Sequence, residues 1–417
     1  MTSASRHTQF LNNATLLLLA QGSNYLVPLV TLPVLVARLQ PDGFGVIAFA
    51  QAVAVYVQLL ADYGFSISAT RHIAANAFSE PSTLRAYVST IHACKGMLAA
   101  LISVLAIPVL YLWSNSGTAF LAGTLMLGMA IGNALTPLWY YQGTNNMKTV
   151  AIATGISKWA GAIVILLFVH SPADMLLAAC AYAVPPLLIA AACTVRLHRR
   201  NLFTLGDVSV RGMMSELHTG APYFVTSAGS GILANSSVLV LGLFHPPSVV
   251  GIYAAAEKVI KAATGCMAPI SQSLYPLNAE RFGVSMAEGL RSVRQTALWL
   301  LAPAVAGSLL LFVVAPWGLK ALHWVDPRYL EVVRWLCPWI VLGVVNNVLG
   351  VQVLGAMGQG KPYARAFFIA ALTTLALMLS LTPAWAERGI VIGMLAGEFA
   401  LTMLTAMAVW SVTRARP

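Results

Sequence analysis

The feature that most constrains this chain is a succession of apolar stretches, each near or above about 18 residues, recurring from Leu11 to Thr413. Coiled as a helix, a stretch of that length matches the hydrocarbon thickness of a bilayer and exceeds most buried helices of a water-soluble domain. Of the 417 residues, 59% are hydrophobic and 9% charged, against roughly 25% charged in soluble domains. Such a chain cannot solvate its own surface in water, so lipid is the expected solvent. The fold class that follows is an all-α membrane protein of about 12 transmembrane helices.

Hydropathy places the spans at 11–36, 44–65, 89–111, 119–141, 149–169, 175–195, 219–244, 250–276, 295–316, 332–354, 363–384 and 389–413. The longest polar connection, 196–218, is too short for a folded soluble domain, so function is expected among the helices. With both termini in the cytoplasm, 16 Lys and Arg lie on the inner side and 5 outside, which the positive-inside rule favours. The net charge of +11 therefore reads as topology, and no nucleic-acid partner is implied. Cys94, Cys180, Cys193, Cys266 and Cys337 lie in apolar runs without a CxxC pair or a histidine at ligand spacing, and read as small buried hydrophobes. The first apolar run lacks the short length and cleavage site of a signal peptide, so it is expected to stay in the mature protein.

PDGFGVIAFAQAV from Pro41 aligns with PPSVVGIYAAAEKV from Pro246 at a constant offset of 206, matching Pro41 with Pro247, Gly45 with Gly251, Ala48 with Ala254, Ala50 with Ala256 and Val53 with Val259. The offset is close to half the chain length. The spacing predicts a parallel internal repeat of two six-helix bundles, residues 1–205 and 206–417, and repeated bundles around a central cavity are a transporter plan.

An ionisable side chain at membrane depth costs about 2.5–3.5 kcal/mol, so each one needs a partner, a hydrated cavity or a task. Lys158 is about nine residues, or about 14 Å, into its span and is expected to face a cavity. Glu257, Lys258 and Lys261 share one helix, with Glu257 and Lys261 spaced to pair and the group as a whole reading as a basic cavity lining. Glu398 lies mid-span and is read either as a proton or cation site or as a lysine's structural partner. Asp62 is expected to pair with Arg71, while His92 and Lys95 are expected to snorkel to the inner surface. Asn24, Gln142 and Gln272 are candidate polar contacts among amides that otherwise bond neighbouring helices. Embedded charge leans cationic, which points to an anionic passenger.

The blocks YLVPLVTLPVLVARLQPDGFG, ADYGFSISATRHIA, LWYYQGTNNMKTVAIATGISK, GIYAAAEKVIKAATGCMAPISQSLYP and GVQVLGAMGQGK span most of the chain and resemble the Wzx-type polysaccharide flippases. That family belongs to the superfamily of the MATE multidrug exporters and the lipid II flippases, and the resemblance implies a MATE-like fold. It also implies translocation of undecaprenyl-diphosphate-linked oligosaccharide, O-antigen or exopolysaccharide units, from the cytoplasmic to the periplasmic leaflet of the bacterial inner membrane by alternating access. Carried over by position, the family's motif residues fall on Asp62, Arg71, Gln142, Glu257, Lys258, Lys261 and Gln272. The family often has a glutamate after the Gln-Gly of the fourth helix, where this sequence has Asn145; coupling to H+ or Na+ must then reside elsewhere or be absent. In this reading Lys158, Lys258 and Lys261 attract the diphosphate while the polyprenyl tail stays in lipid. A polysaccharide polymerase and a chain-length regulator are the expected protein partners, and no resident cofactor or metal is implied. A MATE-like small-molecule exporter and a polysaccharide polymerase or ligase are the alternatives. No phosphate-binding glycine loop, nucleophile elbow or metal motif suggests an enzyme.

Overall fold

The computed structural model describes residues 3–75, 78, 80–265 and 267–414, and their side chains except at 3–22, 24, 25, 225–230, 232 and 233. Among these residues the structure is helical throughout, without a strand. The helices are α1 (Ser3–Asp62), α2 (Phe65–Ala74), α3 (Pro81–Trp113), α4 (Gly117–Leu135), α5 (Leu138–Gly143), α6 (Met147–Phe168), α7 (Met175–Arg199), α8 (Val210–Phe244), α9 (Pro247–Gly265), α10 (Ala268–Val284), α11 (Met286–Ala321), α12 (Pro327–Asn347) and α13 (Gly360–Arg414). Turns of 3-10 helix at Pro172–Asp174 and Leu205–Asp207 flank α7, and a π-helix, Val348–Gly355, follows α12. Eight helical segments among the described residues are long and apolar enough to cross a membrane.

Two of these helices are too long to cross once. At 60 and 55 residues, α1 and α13 would extend about 90 and 80 Å, against a hydrocarbon core of about 30 Å. Each is broken by one non-helical residue, Gln40 (φ 60°, ψ 170°) in α1 and Ala386 (φ 47°, ψ −129°) in α13. The first break has a covalent cause, since Pro41 has no N–H to donate to the preceding turn and restricts the residue before it. The Gln40 side chain compensates, its Nε2 donating to the Ala37 carbonyl at 2.8 Å. Pro41 thus opens a second helical arm, as Pro247 opens α9. Gly45, Ala48, Ala50 and Val53 on that arm are buried, as are Gly251, Ala254 and Ala256 on α9, while Val259 is half-buried.

Burial follows the logic of a lipid solvent. Helix α3 buries Ser89, Thr90, His92, Lys95 and Ser103 and exposes Leu101, Val104, Leu105 and Leu112, and α11 likewise presents Leu309, Leu310, Val313 and Trp317 outward. Without a hydrophobic drive between helices in lipid, small residues permit the close packing that holds them together. Helix α4 packs on α7 through Gly132, where a β-carbon would lie 2.6 Å from the Leu187 backbone nitrogen.

Contacts divide the chain into two compact units, 1–235 and 236–417. In the first, α1 packs against α3, α4 and α6, α7 against α4 and α6, and α2 against α5. In the second, α11 packs between α10 and α12, and α12 also meets α9 and α13. The sequence-based boundary at 205/206 falls in the 3-10 turn before α8, whereas contacts change over within α8 itself. The polar 196–218 connection is shorter than expected, because α8 already starts at Val210. Arg85 pins what remains through Asp207 at 2.6 Å, and the Ser89 hydroxyl accepts from the Thr204 N–H at 2.9 Å.

Candidate functional site

The first unit encloses a cavity of about 520 Å³. Its walls come from both arms of α1 (Ser23, Gln51, Gln58), from α4 and α5 (Asn133, Gln142) and from α6 (Thr154, Lys158). Among the described lining residues Lys158 carries the charge, and the polar remainder are amides and hydroxyls. On α6 the small residues Ala151, Ser157, Gly161 and Ala162 turn inward and Ile156, Trp159 and Ile163 are exposed; Lys158, itself exposed, stands at the edge between the two faces and lines the cavity. A lysine among neutral hydrogen-bonding groups can attract a phosphate as a flexible point charge, without the fixed bidentate grip of arginine.

A second cavity of about 260 Å³ adjoins the first, sharing Gln58, Asn133, Thr136 and Leu138 as walls. Asn133 Nδ2 donates to Gln58 Oε1 at 3.1 Å across this shared wall. The second cavity ends on Asp62 and Lys95, whose Nζ donates to Asp62 Oδ1 at 2.7 Å. The Ser66 hydroxyl donates to the same oxygen at 2.6 Å.

This geometry corrects two expectations. Asp62 pairs with Lys95 rather than Arg71, whose Nη1 donates to the Tyr223 hydroxyl at 3.0 Å. Lys95 does not snorkel, its side chain being only 4% exposed, and His92 is also buried, with Nε2 3.0 Å from the Thr194 hydroxyl. The cause is the turn after Asp62. Tyr63 (φ 47°) and Gly64 (φ 76°) break the helix after Asp62, so Arg71 on α2 no longer continues the α1 helix, while α3 brings Lys95 to Asp62. Gly64 is required there because a β-carbon would lie 2.6 Å from the Phe224 backbone nitrogen, and Tyr63 stacks on Phe224 at 4.7 Å.

In the second unit Glu257 is buried, and Lys261 pairs with it at 3.3 Å, the i, i+4 partner its spacing predicts. Ser237 donates a hydrogen bond to the same carboxylate. Lys258 is half-buried on the same helix. Glu398 is held by neutral donors, Trp339 Nε1 at 3.0 Å and the Asn346 amide, in place of a lysine. Gln272 is exposed on α10, and the Asn24 side chain lies outside the described residues. Asn346, Asn347 and Gln352 do bond neighbouring helices, Gln352 through Asn278, which is fully buried and accepts from Ser292 at 2.7 Å. Sequence reasoning missed Gln58, Asn278 and the Lys95 partnership. A hint was available for Gln58, which stands one helical turn before Asp62. Among the described residues no cluster of three or more His, Cys, Asp or Glu could hold a metal.

Solved structures share this many-helix fold. The lipid II flippase MurJ in an inward closed conformation superposes with a TM-score of 0.73 at 11% identity, covering 94% of this chain and 87% of that one. A multidrug resistance MATE family transporter of the MOP superfamily, inward-facing, gives 0.65 at 14% identity, covering 97% and 96%. The sequence is more specific than the fold: residues 10–282 match the polysaccharide biosynthesis protein family, and the chain belongs to it. A protein of Escherichia coli (strain K12) described as "Putative O-antigen transporter" is 27% identical over 95% of this chain and 96% of its own length. One of Shigella dysenteriae with the same description is 26% identical over 95% and 99%.

Proposed function

We propose that this chain is a flippase that carries undecaprenyl-diphosphate-linked oligosaccharide from the cytoplasmic to the periplasmic leaflet of a bacterial inner membrane. It is a transport protein rather than an enzyme, as its family, its O-antigen transporter relatives and its MurJ-like fold indicate. The observation that carries the reading is the cavity of about 520 Å³ with Lys158 among neutral amides. Its size is within the roughly 300–1,000 Å³ usual for small-ligand sites, enough for a diphosphate and adjoining sugar while the polyprenyl tail stays in lipid. On α9 the Glu257–Lys261 pair is neutral, and Lys258 adds positive charge within the second unit. Release requires only that hydration change as the units move, because no fixed bidentate contact has to break. Twelve crossings in two repeated bundles, cytoplasmic termini and coupling to H+ or Na+ complete the proposal, with a polymerase and a chain-length regulator acting on the product.

The fold alone would also suit a drug exporter of the MATE kind. A cation-lined cavity disfavours cationic drugs, and the relatives favour the glycan. The test is surface polysaccharide in a flippase-null strain. Lys158→Ala, and Lys258→Ala with Lys261→Ala, are expected to abolish complementation at unchanged protein level, and full complementation by both would refute the cationic site. A gain of drug resistance without polysaccharide would favour the exporter.

A further inference from the structure

Helix α12 carries an arginine without an acid of its own. Arg334 lies seven residues past Pro327, roughly 10 Å along the helix, within the apolar span 332–354. Among the described residues its guanidinium makes no ion pair and no hydrogen bond, and Nε is buried with nothing to donate to. The guanidinium carbon sits 4.9 Å from the centre of the Phe312 ring on α11. Nearby acids are committed elsewhere. Glu331, one turn before Arg334, pairs with Arg388 at 2.9 Å, and Asp326 pairs with Arg328 at 2.7 Å. The charge of Glu387 acts on Arg328, and Glu398 accepts from Trp339 and Asn346. The surroundings face lipid: Leu309, Phe312 and Val313 share one exposed face of α11, and Pro338, one turn past Arg334, is exposed on α12. The Ser308 hydroxyl, donating to the Cys337 carbonyl at 2.8 Å, ties the two helices together at this level.

We propose that Arg334 and the Phe312 face of α11 form a docking site for the phosphate of a membrane lipid on the lipid-facing wall of the second unit. A cation at membrane depth needs a counter-charge, and this unit assigns none to Arg334. The anion that lipid itself brings is a phosphate. Guanidinium presents its N–H donors in a planar fork that matches phosphate oxygens two at a time, and the Phe312 ring holds that plane in place. The long side chain can reach toward the head groups while its stem stays among apolar neighbours. An acyl or polyprenyl chain then runs along Leu309 and Val313. Either a bilayer phospholipid or a lipid-linked diphosphate has this chemistry. In the proposed orientation this end of α12 faces the periplasm, so the site serves the outer leaflet.

Native mass spectrometry of the full chain in a non-ionic detergent, titrated with dioleoyl phosphatidylglycerol, geranyl diphosphate or dioleoylglycerol, reads the affinity for the first lipid bound. Arg334→Met is expected to weaken binding of a phosphate lipid by roughly 10- to 150-fold, the span of a lost charge-assisted hydrogen bond, and to leave dioleoylglycerol unchanged. A larger loss for geranyl diphosphate identifies the lipid carrier as occupant, and a larger loss for phosphatidylglycerol identifies a bilayer phospholipid. Unchanged affinity for both phosphate lipids, or an equal loss for dioleoylglycerol, would overturn the inference. Arg328→Gln removes an arginine already held by Asp326 and should leave all three affinities as they are; a loss equal to that of Arg334→Met would show a general charge effect and overturn the site. Because Arg334→Met strands no carboxylate and keeps a side chain over Phe312, it should melt no lower than wild type in lipid-free detergent. A lowered melting temperature with lipid affinity intact would assign Arg334 a structural role instead. If the methionine variant does not fold, Arg334→Lys keeps the charge without the fork and is expected to lose part of the preference for phosphate lipids over dioleoylglycerol. An unchanged preference overturns the proposal.

Discussion

Gly64 offers a test in which two physical costs separate. Its φ of 76° is unfavourable for any residue with a β-carbon, by about 1–2 kcal/mol for alanine. The added carbon would also lie 2.6 Å from the Phe224 nitrogen and 2.7 Å from the Tyr223 carbonyl carbon, both backbone atoms that cannot rotate aside. Forced overpacking of this kind costs about 1–3 kcal/mol, so Gly64→Ala should destabilise by about 2–5 kcal/mol in all. Gly358 supplies the control, with φ 71° and open space where the methyl group would stand, so Gly358→Ala should lose only the conformational part. Gly343, helical and equally open, should be neutral or gain up to about 1 kcal/mol as alanine. Unfolding of the three variants in one detergent, followed by thiol or tryptophan fluorescence, gives the ranking. Equal losses for Gly64→Ala and Gly358→Ala would refute the close approach of the Asp62–Phe65 turn to α8. Because that turn directly follows Asp62, loss of complementation should accompany the loss of stability.

Lys95→Met should cost about 3–5 kcal/mol by stranding a carboxylate beside a buried position, and adding Asp62→Asn should recover most of it, read as a double-mutant cycle in thermal unfolding. Asn278→Ala strands the Gln352 and Ser292 groups that it satisfies and should cost about 2–6 kcal/mol at 1–3 per group; a loss under 1 kcal/mol in the same assay would refute the network. Asp326 caps α12, accepting from the Arg328 N–H at 2.9 Å, so Asp326→Ala should cost about 1 kcal/mol. Hydrogen bonds from the Arg328 side chain hold the Asp326 carboxyl below the usual carboxylate range. Its stabilisation is therefore fully present above the ordinary aspartate value of about 4 and lost as pH falls through the lowered folded value, so the wild-type and alanine melting curves should converge in acid. Convergence at alkaline pH instead would contradict that sign.

The membrane class, the positions of most helices and the Glu257–Lys261 pair could be read from residue order alone. Hydropathy reports what each segment needs as solvent, and an i, i+4 spacing is fixed by helical geometry, so both are local properties. The breaks in the two longest helices divide instructively. Pro41 announces the first, because a missing N–H is covalent, whereas Ala386 carries no such mark and its φ of 47° depends on its surroundings. The depth of Lys158 was legible, and its cavity was an expectation from cost. That Asp62 takes Lys95 and not the nearer Arg71, that Gln58 meets Asn133 between two cavities, and that Asn278 joins Gln352 were decided by the tertiary structure. These partners stand 33, 75 and 74 residues apart in the chain, and what pairs them is the direction in which neighbouring helices point their side chains once a left-handed turn and close small-residue packing have set the helix positions.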